Sequence, residues 1–286
     1  MAVSDALLQI AHAALTPRSV DLLLAEHGSA QAALGAVVAG RTRLGGAAVD
    51  EMAVPADIRR EVLVHKGIRW LPSTDPGFPH HLQRHEDGPR WLFIRGAVPD
   101  LPRLAIVGTR TCTPYGVELA EEYGRVAADR GWIVVSGLAK GIDGAAHRGA
   151  VTAGGMSVAV LGSGIDVVYP RRHVGLHDEL LAKGGAVLSE FPPGTRPDGW
   201  RFPTRNRIIA GLADAVLVVE AGATGGALIT ARIALDYGIA VFATPGDVDR
   251  PASVGTNTLI RDGAFPVFGW EDLGNVLDLI VRFAVA

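Results

Sequence analysis

The sequence predicts an α/β chain: a doubly wound, mainly parallel sheet over residues 103–286, preceded by a small all-α domain at 1–66 and a linker with edge strands at 67–102. Three observations predict it. Leu104–Val107, Ile133–Val135, Val158–Leu161, Ala186–Leu188, Val216–Val219 and Ala240–Phe242 are apolar on both faces, as strands covered by helices on either side are. Segments with helical periodicity, such as Val117–Arg130 and Ala227–Tyr237, separate those runs and suit right-handed crossovers. Glycine supplies 36 of 286 residues, roughly twice its average share of about 7%, which suits tight strand-to-helix turns and backbone that approaches a ligand.

Taken in chain order, apolar residues recur at Leu7, Leu8, Ile10 and Ala11, then at Val20, Leu22, Leu23 and Leu24, with breaks at Thr16-Pro17 and His27-Gly28-Ser29. These are short helices. The piece from Leu22 to Ala33, with Gly28 between two helices, looks like half of a helix-hairpin-helix or sterile-alpha-motif-like unit. Between Ile68 and Gly96 the pattern becomes extended, at Ile68–Leu71 and Trp91–Ile94, across a loop holding Pro72, Pro76, Pro79 and Pro89. Two edge strands are expected there. After Pro102 the strand and helix alternation takes over, and ligands in such sheets bind at the carboxyl ends of the strands.

Composition narrows the function. The net charge is −3 and the pI near 6.3, so no global basic field marks the chain for polyanions, and any such site must be local. Of 27 lysines and arginines only Lys66, Lys140 and Lys183 are lysines, and guanidinium forks onto phosphates and stacks on bases. A single cysteine, Cys112, excludes an intrachain disulfide and a cysteine-rich zinc site, which fits a reducing cytoplasm. No cluster of cations precedes an early apolar run, so no secretory signal is expected. The uncharged stretch Gly149–Ile165 carries five glycines and is too short to span a bilayer.

The strand ends carry the chemistry. The first apolar run leads into Gly108-Thr109-Arg110, then Thr111, Thr113 and Gly116. This is not the G-x-G-x-x-G fingerprint, and the second run ends in Ser136-Gly137 with no acid to grip a ribose, so no nicotinamide or flavin cofactor is expected. Backbone N–H groups at a glycine-rich helix start, the threonine hydroxyls and Arg110 instead suit a phosphate. Lys140, set between Ala139 and Gly141, displays a cation on pliable backbone, Asp143 is placed to cap the next helix, and His147 reads as a packed histidine. Further on, Gly162-Ser163-Gly164 leads to Tyr169-Pro170-Arg171-Arg172. The run Arg196 to Arg207 holds four arginines against Asp198 alone, with Phe191, Trp200 and Phe202 nearby. Cations interleaved with aromatics describe a single-strand groove, in which bases stack and phosphates are neutralised.

These motifs resemble the DNA-processing protein A (DprA/Smf) family. The resemblance rests on Ile106–Arg110 with Thr113–Gly116, Ser136–Asp143 with Ala146-His147, Leu161–Gly164 with Tyr169-Pro170, and Ser189–Gly194. It continues through Phe202-Pro203 with Arg205–Ile209, Val219–Ala221, Leu228–Ala231 and Gly255–Asn257 before Leu259–Ala264, co-linear over about 160 residues. The match in 1–66 is weaker. Many members carry a C-terminal winged-helix-like module; with only about 16 residues after the sheet region, which should end near residue 270, that module is expected to be absent or truncated here.

The resemblance implies an extended Rossmann fold that binds single-stranded DNA, self-associates as a homodimer, and helps load RecA recombinase onto strands coated by single-strand-binding protein. It implies no catalytic residue, metal or cofactor. The DNA-contacting set expected is Gly108, Thr109, Arg110, Ser136, Gly137, Lys140, Gly162, Arg171, Arg172, Phe202, Arg205, Asn206 and Arg207. Apolar residues past the last crossover, Leu259, Ile260, Phe265 and Val267, are the expected self-association surface. The alternative is a nucleotide-processing enzyme of the lysine-decarboxylase-like or phosphoribohydrolase group. That group uses P-G-G-x-G-T followed by a catalytic Glu, whereas here Asp247 follows Pro245-Gly246, and Gly255–Thr258 lacks the Glu. A nuclease is disfavoured because Asp143, Asp166, Glu190 and Glu220 show no metal-ligand spacing.

Overall fold

Five short helices open the computed structural model, which describes residues 3–284: α1 (Val3–Ala11), α2 (Pro17–His27), α3 (Ala30–Val38), α4 (Gly46–Ala53) and α5 (Ala56–His65). Local chemistry sets their limits. The Thr16 side chain accepts from the Ser19 N–H, and Pro17 starts α2 where a missing N–H costs nothing. Gly28, at φ 72°, closes α2 in the left-handed region, and Ser29 caps α3.

The chain continues through β1 (Arg69–Pro72), α6 (His80–Gln83), β2 (Trp91–Gly96), β3 (Arg103–Val107), α7 (Pro114–Asp129), β4 (Ile133–Ser136), α8 (Ile142–Thr152) and β5 (Ser157–Leu161). Then follow α9 (Val174–Ala182), β6 (Ala186–Ser189), α10 (Arg201–Leu212), β7 (Ala215–Val218), α11 (Gly226–Asp236), β8 (Ala240–Ala243), α12 (Val254–Arg261), β9 (Phe265–Pro266) and α13 (Trp270–Ala284). All strands join one sheet in the order β1-β2-β6-β5-β4-β3-β7-β8-β9. Only β1 and β2 run antiparallel to their neighbours. The expected fold class, doubly wound and mainly parallel after a helical region, is the observed one.

Alternation along each strand feeds two faces. Leu104 and Ile106 of β3 pack with Tyr123 of α7, Ile142 of α8 and Leu273 of α13 on one face, while Ala105 and Val107 pack with Ile208 and Ile209 of α10 and Ala231 of α11 on the other. The helical region adds to the first face: Leu8, Ile10, Leu34 and Met52 share a cluster with Trp91, Phe93, Leu161 and Leu180. Helices give way to strands after residue 65, and the core runs across both residue 66 and residue 102.

Two segments differ from the sequence reading. Residues 201–212, to which the sequence reading assigned no element beyond a groove of arginines and aromatics, form helix α10, because Ile208, Ile209 and Leu212 cover the sheet. The chain beyond 270 forms α13, whose Leu273 and Leu277 are buried against the α7 side of the sheet. Among the described residues no helix is long and apolar enough to cross a membrane.

His147 on α8 is fully buried, and its Nδ1 meets the Ser157 hydroxyl, which donates to the Val134 carbonyl. Nδ1 therefore carries the hydrogen. Burial, with the nearby His173 and Arg205 charges, lowers the His147 pKa to about 3. A histidine held neutral in this way stabilises fully above its unfolded value near 6.5, and that contribution is lost as pH falls toward 3. Urea unfolding should therefore show wild-type stability falling between pH 7 and pH 5. In His147→Asn, whose amide nitrogen can occupy the Nδ1 position, stability at pH 7 should be lower and the acid loss smaller. An equal acid loss in both proteins would remove His147 from the account.

Candidate functional site

The chain steps from β3 through β4 and β5 to β6, then crosses back by α10 to β7 on the other side of β3. This reversal is the topological switch point at which doubly wound sheets bind ligands. The loops after β3, β4 and β7 meet there with α10 around a crevice of about 770 Å³, and the loop after β5 lines only its neighbour. An adjoining pocket of about 60 Å³ shares Arg110, Ala139, Phe202 and Arg205 with it. Lys140, Gly162 and Tyr169 line the pocket, and the glycine loop from Gly222 to Gly226 lines the crevice.

The cation and aromatic groups come together. Arg110 is exposed and lies 4.7 Å over the Phe202 ring, which is 5.7 Å from that of Tyr169. Gly162 lets Phe202 settle, since a Cβ there would sit 2.8 Å from the ring. Lys140 is exposed at the pocket's edge. Gly108 is packed against Ile142 and the Glu220 carbonyl, which also accepts from the Thr109 N–H at 2.8 Å. Arg171 and Arg172 are exposed on a 3₁₀ turn after Pro170, outside the lining of both cavities.

Other expected contacts serve the scaffold. Ser136 is buried and donates to the Ile106 carbonyl. Asn206 accepts from Arg205 Nε and donates to the Gly226 carbonyl, tying α10 to the glycine loop. Arg205 itself is 4% exposed. Its Nη1 donates to the Gly137 and Val160 carbonyls, and its Nη2 lies 4.0 Å from Asp143. Burial lowers its pKa to about 10, with Asp143 opposing the shift, so it stays protonated at neutral pH. Asp143 is raised by burial, with Arg205 pulling the other way. Rather than capping α8, Asp143 accepts from the Gly137 N–H.

Arg207 corrects the sequence reading. Side chains two apart on a helix point about 200° apart, so Arg207 faces away from Arg205. It is buried, makes two bonds to Glu190 at 2.7 and 2.9 Å, and donates to the Asp87 carbonyl. Burial lowers its pKa, but Glu190 outweighs burial and the net shift is upward. No donor is left facing the crevice.

The helix start after β3 is a second correction. Thr113 caps α7, and the Glu220 carboxylate already occupies the place expected for phosphate, accepting from the Thr113 N–H at 2.9 Å and its hydroxyl at 2.6 Å. Neither this bracket nor the Arg205–Asp143 contact was found in the sequence; a charge embedded among apolar residues was the only signal.

A third correction concerns self-association. Val267 is fully buried and Leu259 and Ile260 half-buried, leaving Phe265, Phe268 and Trp270 as the exposed apolar residues there.

The chain matches the family model of DNA recombination-mediator protein A over residues 69–278. It is 43% identical over 205 residues to Protein Smf of Escherichia coli, covering 71% of this chain and 55% of that protein, so it spans about half that relative's length. It is 41% identical over 213 residues to DNA processing protein DprA of Streptococcus pneumoniae, covering 73% of this chain and 75% of the relative. The X-ray structure of DprA from S. pneumoniae is similar at TM-score 0.75 and 34% identity, over 93% of this chain and 94% of that one. DNA processing protein A from Helicobacter pylori, whose structure is described for its single-stranded DNA binding mode, is similar at TM-score 0.66 and 28% identity, over 73% and 95%.

The Glu220 bracket yields a stability test. Glu220→Ala leaves the Thr113 N–H without its acceptor, so urea unfolding should show a loss of about 2 kcal/mol. In a Thr113→Val background the same change should cost less, because part of the bond network is already gone. Additive losses would contradict the bracket.

Proposed function

Because this chain belongs to the DNA recombination-mediator protein A family, we propose that it binds single-stranded DNA across the crevice at the ends of β3, β4, β5 and β7. The observation that carries this reading is Arg110 stacked on the half-buried Phe202 beside Lys140 and the exposed Tyr169: cations for phosphates and an aromatic surface for bases, collected in a chain of net charge −3. A duplex keeps its base faces stacked, so single strands are preferred with little sequence preference. Arg171 and Arg172, exposed beside the pocket, extend the phosphate track.

By the same reading the protein acts in natural transformation and recombination, protecting incoming strands and helping to load RecA recombinase, in exchange with single-strand-binding protein. It does so without catalysis. The acids nearest the crevice support that part: Glu220 is committed to Thr113, and Asp143 to Gly137 and Arg205. Self-association into a homodimer would use the exposed Phe265, Phe268 and Trp270.

If Arg110, Lys140, Arg171 and Arg172 each neutralise one phosphate, the single-strand salt slope is about −2.8, so tenfold more salt weakens binding about 600-fold. Arg110→Ala and Lys140→Ala should each flatten that slope by about 0.7 with unchanged melting. Arg207→Ala should destabilise the fold and leave the slope of the folded protein intact. Oligothymidine titrations at several salt concentrations decide this, and wild-type slopes in both crevice variants would sink the reading. For self-association, light scattering should report a dimer for the wild type and a monomer for Phe268→Arg; a wild-type monomer at micromolar concentration would refute it.

A further inference from the structure

The loop that presents Lys140 is held in an unusual way. Among the described residues only Ala14 and Leu138 have positive φ without being glycine, and Leu138 stands at φ 54° with its side chain fully buried. A branched residue adopts this backbone at a cost, which persists only where the surroundings over-determine it. Here they do. The Leu138 side chain belongs to the buried cluster that also holds Leu8, Leu161 and Leu176. Its carbonyl accepts from His173 Nδ1 at 2.9 Å, so that nitrogen carries the hydrogen. On either side, Gly137 is bound through its N–H to Asp143 and through its carbonyl to Arg205, and the Ala139 carbonyl accepts from the Gly144 N–H at 3.0 Å.

We propose that Leu138 and His173 are positioning residues for Lys140: the buried side chain and the imidazole lock a strained turn that fixes this cation before any ligand arrives. A preformed loop spares the ligand the cost of ordering it. As a statement about DNA affinity the proposal rests on the single-strand reading, whereas its statement about the free loop does not.

Two measurements test it. In the free protein, hydrogen exchange should show the Gly137 and Gly144 amides exchanging at least about tenfold faster in His173→Ala than in the wild type, with the Val134 and Val160 amides unchanged. With oligothymidine, His173→Ala should weaken binding about three- to tenfold, but less than about twofold when added to Lys140→Ala. His173→Asn, which keeps a donor near the Nδ1 position, should restore most of the affinity. If His173→Ala does not fold, Leu138→Ala takes its place, with the same expected dependence on Lys140. Unchanged exchange at Gly137 and Gly144, or losses that add fully with Lys140→Ala, would overturn the proposal. Failure of the wild type to bind oligothymidine would overturn the functional reading instead, and the exchange result would still decide whether the turn is locked.

Discussion

A guanidinium buried beneath a strand end and a loop organises this crevice. Arg205 rises from α10 to the carbonyls of Gly137 and Val160, reaches toward Asp143, and leaves no room for a side chain at residue 137. Removing such a cation from water costs several kcal/mol, so it persists only with good hydrogen bonds and an opposing charge, which Asp143 and the two carbonyls supply. Asp143 in turn holds Gly137. One residue thus ties the helix on one face of the sheet to the loop after β4 and to the end of β5, and its neighbour Asn206 extends the tie to the glycine loop after β7.

The division of labour among charges follows from that constraint. Arg205 and Arg207 stand in buried ionic contacts, while Arg110, Lys140, Arg171 and Arg172 stay exposed. Only the second group retains water to exchange for phosphate. The acids divide in the same way: Glu220, Asp143 and Glu190 each face a named internal partner. A local cationic surface thereby exists on a chain whose net charge is slightly negative.

Most of the fold was legible because β3 to β8 are continuous apolar runs, and burial on both faces leaves no ambiguity of period. Arg110, Lys140 and Gly162 were legible beside the crevice because ligand sites in such sheets lie directly after strands, and Phe202 because aromatics interleaved with cations mark a single-strand groove. Arg207 was not, since composition counts charges without direction, and only a helix through 201–212 turns residues 205 and 207 to opposite sides. Val267 was misread for a similar reason. It is flanked by the exposed Phe265 and Phe268, and α13, which covers it, went unrecognised.

The core shared by the N-terminal helices and the sheet bears on how the molecule comes apart. His12 at the end of α1 meets Phe93 edge-on at 5.5 Å, and Lys66 pairs with Asp166 at 2.6 Å. Stripping the helices from the sheet would uncover Trp91 and Phe93, at about 1.5–3 kcal/mol for each large side chain exposed. Against a total stability of about 5–15 kcal/mol for a typical domain, that is a large fraction. The helical segment is therefore not a pendant module that can melt alone: heating should give one cooperative transition, and a chain begun near residue 67 would present sticky apolar surface and aggregate.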